Sequence, residues 1–137
     1  MGGKLISTFV LLILLFSVGC SGQKVINVQG ESQNWSSRIA YEIGEHEQIG
    51  KGKMEYTGSE QLKSLSYEIN YPETFSVGGS GDRSNIKEDE TTFQLTISLP
   101  DDNVDMLPDK VGDILITVMW ETIAGESFEE TIEFSSE

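Results

Sequence analysis

From Trp35 onward, apolar and polar residues alternate. Trp35, Ser37, Ile39, Tyr41 and Ile43 fall on one side of an extended chain, with Ser36, Arg38, Ala40 and Glu42 on the other. A period of two is the mark of a half-buried β-strand, because successive side chains point to opposite faces. The pattern predicts a second strand near Ile49 to Thr57, where Met54 and Tyr56 share a face and Gly50 and Gly52 loosen the register. Leu65, Tyr67, Ile69 and Tyr71 make a third strand, which Pro72 ends because it offers no N–H. A short strand at Phe75 and Val77 is expected to stop at Gly78-Gly79-Ser80-Gly81-Asp82, read as an irregular turn. Phe93, Leu95, Ile97 and Leu99 give the cleanest alternation, closed by Pro100. Residues 114–120, apolar on both faces, predict a covered central strand. Phe128, Ile132 and Phe134 form the last strand, with Glu129, Thr131 and Glu133 turned outward to discourage edge-to-edge pairing. No amphipathic stretch reads as a helix.

About seven strands in one domain predict an all-β chain. The best match is an antiparallel β-sandwich that resembles the immunoglobulin-like architecture in strand number and size, with a small β-barrel as the alternative. The resemblance is architectural only, since the chain lacks a Cys pair and Trp35 and Trp120 match no Trp of that family. Alternation also places Tyr41, Tyr56, Tyr67 and Tyr71 in the core rather than on an exposed sugar-facing platform.

The N-terminal segment has a different pattern. Lys4 precedes an uncharged apolar run over residues 5–18 that ends at Gly19-Cys20, the layout of a secretory signal peptide. As a helix this run would span about 21 Å, short of the ~30 Å hydrocarbon core, which disfavours a permanent membrane span. Phe16-Ser17-Val18-Gly19-Cys20 resembles the lipobox of bacterial lipoprotein precursors, with Ser17 where Leu is most usual and the chain's only Cys just after the cleavage point. The resemblance implies removal of residues 1–19, acylation of Cys20, and a protein held at the extracytoplasmic side of the cell membrane. Two or more acyl chains make such an anchor stable, whereas one chain binds marginally. Polar residues 21–33 read as a tether of at most about 45 Å, with Lys24 to Val28 as a short edge strand in an alternative reading. The expected organisation is a signal peptide over 1–19, lipidated Cys20 and tether over 20–33, and the β-sandwich over 34–137. The Trp residues, the Lys51-Gly52-Lys53 strand and the Gly-rich segment also resemble small uncharacterised lipoproteins of Gram-positive bacteria, which carries no activity with it.

Composition narrows the chemistry. The chain has 137 residues, 23 acids, 9 bases and a net charge of −14. Sixteen acids and only three bases lie from Ile69 onward. This charge repels nucleic acid and favours cations or basic partners. One Cys and one His make neither an internal disulfide nor a Cys/His zinc site. Asp101, Asn103, Asp105 and Asp109 have the spacing that begins an oxygen-ligand calcium loop. Met106 stands where such a loop turns on Gly, and Gly112 where it takes a bidentate Glu, so these four are weak metal candidates. Calcium is the one cofactor the pattern suggests at all. His46, between Glu45 and Glu47, lacks a nucleophile elbow to complete a Ser/His/Asp triad. No catalytic or cofactor-binding residues are therefore expected. The reading is a lipid-anchored binding or accessory module for a protein or peptide. An envelope enzyme or inhibitor using acidic surface residues, and a weak calcium-binding surface domain, are the alternatives.

Overall fold

A computed structural model describes residues 24–44, 48–72, 78–99 and 113–136. The described residues form eight strands: β1 (Lys24–Glu31), β2 (Trp35–Ile43), β3 (Gln48–Tyr56), β4 (Leu62–Asn70), β5 (Gly78–Arg83), β6 (Thr92–Leu99), β7 (Leu115–Thr122) and β8 (Ser127–Ser136). All pairs are antiparallel, in the order β5-β4-β7-β8-β1-β2-β3-β6. The protein is all-β, its sheet nearly closed and barrel-like, a form that both a β-sandwich and a small barrel describe. β1 pairs with β2 along its whole length but with β8 only from Val28 to Glu31, so the two four-stranded halves join at one corner.

Curling is required by contacts between strands that lie far apart in the sheet. Neighbouring strands are about 4.8 Å apart, so strands separated by three or four places in a flat sheet would lie more than about 14 Å apart. Yet Trp35 on β2 and Trp120 on β7 have ring centroids 5.6 Å apart, and Tyr56 on β3 lies 6.2 Å from Trp120. The enclosed core contains Val28, Ile39, Met54, Ile116, Val118 and Ile132, all fully buried. The inward positions of β2 are those the alternation assigns.

Two segments differ from the sequence expectation. Residues 24–31, read as tether, form β1, whose fully buried Val28 sits in the core while Val25 is half exposed. The alternative reading of Lys24 to Val28 as a strand therefore holds, but β1 is interior rather than an edge, because β2 supplies hydrogen-bonding partners along its whole length and β8 along Val28 to Glu31. The glycine run 78–82, read as a turn, is strand β5 paired with β4. Two of its glycines have a steric reason: a Cβ on Gly81 would meet the Tyr67 hydroxyl at 2.5 Å, and one on Gly79 would meet Ile69 at 3.3 Å. The strand expected at Phe75 and Val77 lies outside the described residues. Gly50 likewise gives the Tyr41 ring room, and a Cβ on Gly52 would collide with the backbone carbonyl of Arg38 on β2. β7 is central as expected, between β4 and β8, but its outer face is not covered, since Met119 is 40% exposed.

Candidate functional site

The sequence-derived candidates Cys20, His46, Asp101, Asn103, Asp105 and Asp109 lie outside the described residues. Among the described residues, no group of three or more His, Cys, Asp or Glu side chains is placed to hold a metal ion. The four tyrosines sit in or against the core. Tyr41 and Tyr71 share a 2.9 Å hydroxyl hydrogen bond. Burial pushes the Tyr41 hydroxyl up to about 12, against the lowering effect of that bond. Burial, the neighbouring Tyr41 charge and the same bond all raise Tyr71. These groups are structural and neutral at physiological pH.

The two ends of the domain differ. One end carries Lys24, Ile43 and Gln48, aligned by the β1–β2–β3 register, and the Tyr41–Tyr71 pair. At the other end the loops are joined by backbone bonds: Thr57 N–H donates to Asn34 O (2.8 Å), Ile123 N–H to Gln61 O (3.0 Å) and Ile86 N–H to Lys63 O (3.3 Å). Glu130 completes this cap. Its carboxylate accepts from Ser32 Oγ at 2.7 Å, Asn34 N–H at 2.8 Å and Asn34 Nδ2 at 2.5 Å. Burial alone would raise this carboxyl, but the three donors outweigh it and hold the group below its ordinary value of 4.5. Glu130 shares the inward parity of Ile132 and Phe134, so near the start of β8 the core face gives way to a polar latch. Beneath the cap, Trp35 packs against Tyr56, Phe93 and Trp120, and Phe128 stacks on Trp120 at 5.4 Å while remaining 42% exposed. Ile123, at the tip of the β7–β8 hairpin, is also exposed. Gly125 takes a φ of 86° there, which lets the hairpin close.

The outer faces of the two halves carry different charge. Strand register sets Arg38 directly opposite Lys53, with Lys51 one rung further along β3 and opposite Ala40. These three cations, with Asn27 and Gln94, border a shallow groove of about 430 Å³ floored by Ala40. Lys51 lies 3.9 Å from Glu42. Exposed Glu31 and Glu55 stand on this face too, so it carries both signs, whereas the other half presents exposed Glu68, Asp82, Glu129 and Glu133. The outward facing of Glu129, Thr131 and Glu133 agrees with the alternation, but β8 is an interior strand between β7 and β1 rather than a sheet edge. The grouping of Arg38, Lys51 and Lys53 was not read from the sequence. Lys51 and Lys53 share a face by simple alternation, but Arg38 joins them only through the β2–β3 pairing.

The strands at the two ends of the sheet order, β5 and β6, meet through side chains. The Arg83 guanidinium lies over the Phe93 ring, 5.8 Å from its centroid, and pairs with Glu90. This contact covers the aromatic core where the two edge strands approach.

Comparison of the chain with protein-family models, with curated proteins and with solved structures finds no match.

Proposed function

We propose that this chain is a lipid-anchored extracytoplasmic binding or accessory module, attached to the cell membrane through Cys20 and presenting its β domain to a protein or peptide. The observation that carries the reading is the run Phe16-Ser17-Val18-Gly19-Cys20, which places the chain's sole Cys at the boundary of an apolar, uncharged segment. Only Ser21, Gly22 and Gln23 then separate Cys20 from Lys24, where β1 begins. Four residue steps extend at most about 14 Å, so an anchored domain would stand close to the bilayer. Its Lys24 end would face the lipid, and the cap formed around Glu130 would face away. The joined loops and the two unlike sheet faces support a role in presenting surface to a partner.

The test is mass spectrometry of the N-terminal peptide of the protein isolated from a Gram-positive host, alongside a Cys20→Ser variant. The expected result is a peptide that begins at Cys20 and carries acyl mass, with the variant released from the membrane fraction. An unmodified Cys20, or equal membrane retention of the variant, overturns the reading.

A further inference from the structure

β6 ends the strand order, and among the described residues no strand pairs with its outer edge. The phase of its hydrogen bonding follows from one contact, in which Tyr56 N–H donates to Thr91 O at 2.8 Å. In an antiparallel ladder the bonded residues alternate. Phe93, Leu95 and Ile97 therefore turn their backbone groups toward β3, and Thr92, Gln94, Thr96 and Ser98 turn theirs away from it. The side chains of these four are exposed, while Phe93, Leu95 and Ile97 are buried.

Exposed edges are ordinarily blunted by charged residues, Pro, bulges or short length. β6 has none of these. Thr91 to Leu99 contains no charged residue, no Pro and no Gly, although charged residues make up 23% of the chain. Its eight residues pair with β3 without a register shift. β5, the other edge, is shorter and contains Gly, Asp82 and Arg83. Next to the start of β6, the exposed acids Glu88 and Asp89 outnumber the adjacent exposed Lys87, while Arg83 is paired with Glu90.

We propose that the outer edge of β6 accepts an added antiparallel strand supplied by an extended segment of another polypeptide. This rests on the binding-module reading above. Backbone bonds to Gln94, Thr96 and Ser98 would supply affinity, and alternate side chains would supply selectivity. The fitting segment alternates β-branched apolar and hydroxyl residues over about eight positions, the length of β6. It carries Lys or Arg at its C-terminal end, which antiparallel pairing brings beside Glu88 and Asp89. A second copy of this chain fits less well. Antiparallel pairing of two β6 edges points their Lys24 ends in opposite directions, which short connections to Cys20 cannot bring to one bilayer. Each copy also carries a net charge of −14.

The test uses the full chain in detergent micelles and a probe peptide of about ten residues, alternating Thr and Val and ending in Lys-Arg. Amide exchange at Gln94, Thr96 and Ser98 is expected to be fast in the free chain and about tenfold slower with the probe. A probe with alternate amides N-methylated should leave exchange unchanged. Thr96→Pro removes an outward N–H without touching the β3 ladder, and is expected to weaken binding about fivefold to tenfold. Should that variant lose its cooperative unfolding, Thr96→Lys retains the N–H and sets a cation against the basic probe, with weaker binding again expected. Absence of probe binding, indifference to N-methylation, or amides already protected in the dilute free chain would each overturn the proposal. Protection that grows with protein concentration alone would also overturn it, by identifying a second copy as the occupant. None of these outcomes bears on the acyl mass at Cys20, so failure here and failure of the anchoring reading are distinguishable.

Discussion

Glu130 shows how one side chain joins segments remote in sequence. Its three donors come from Ser32 and Asn34, nearly a hundred residues away, and they tie the β1–β2 turn to β8. Hydrogen bonds to a charged group contribute more than neutral ones, but partial solvent exposure reduces the effect, so Glu130→Gln is expected to cost about 1–2 kcal/mol at neutral pH. The pH dependence follows from the lowered carboxyl. A group held below its unfolded value of 4.5 contributes stability that is fully present above 4.5 and is lost as pH falls through the folded value. The stability difference between native protein and Glu130→Gln should therefore shrink on acidification below that point. Urea unfolding of both proteins across that range checks it; a pH-independent difference would assign the effect to packing.

At the scale of elements, β1 decides whether the sheet is continuous. Among the described residues it is the strand that joins β8 to β2, and Val28 and Gly30 mark its role. Val28 fills the core, and Gly30 lies so close to β8 that a Cβ would collide with the backbone carbonyl of Glu133. A chain beginning after Glu31 would expose the β2 and β8 backbone groups that β1 occupies and open the core beside Ile132. The expected outcome is loss of cooperative thermal unfolding by circular dichroism, whereas a true tether could be removed without effect. The less drastic Gly30→Val is expected to lower stability by about 2 kcal/mol or more, because the obstructing atom is backbone and cannot rotate away. A melting temperature unchanged by Gly30→Val would show that β1 and β8 separate freely.

Across the whole molecule, acidity and uneven charge placement dominate. A net charge of −14 on a chain of 137 residues makes the folded state repel itself, and salt screens that repulsion over about 8–10 Å near physiological ionic strength. Raising NaCl from about 0.02 to 0.5 M should raise the melting temperature, by about 4–8 °C for each kcal/mol of repulsion relieved. A melting temperature that falls with salt would mean that attractive pairs such as Lys63–Glu121 and Lys51–Glu42 outweigh the net repulsion. Such exposed pairs ordinarily contribute little.

Alternation alone places β2, β3, β4, β6 and β8 and identifies the side of each that enters the core, because side-chain direction along a strand is a local property; β7, apolar on both faces, is placed by its sequence but not oriented. It also supports the all-β class, the tyrosines as core residues, and the acidity of the chain. Period two does not say which strand lies beside which. Hence β1, which its sequence leaves between a tether and a short edge strand, becomes an interior strand only where β2 and β8 pair with it. β5 looks like a turn until its glycines are seen to make room for Tyr67 and Ile69. The cation group Arg38, Lys51 and Lys53, the Glu130 latch and the open edge of β6 likewise depend on pairings between distant segments. Only the tertiary structure decided these features, because each requires a register between strands that no local stretch of sequence specifies.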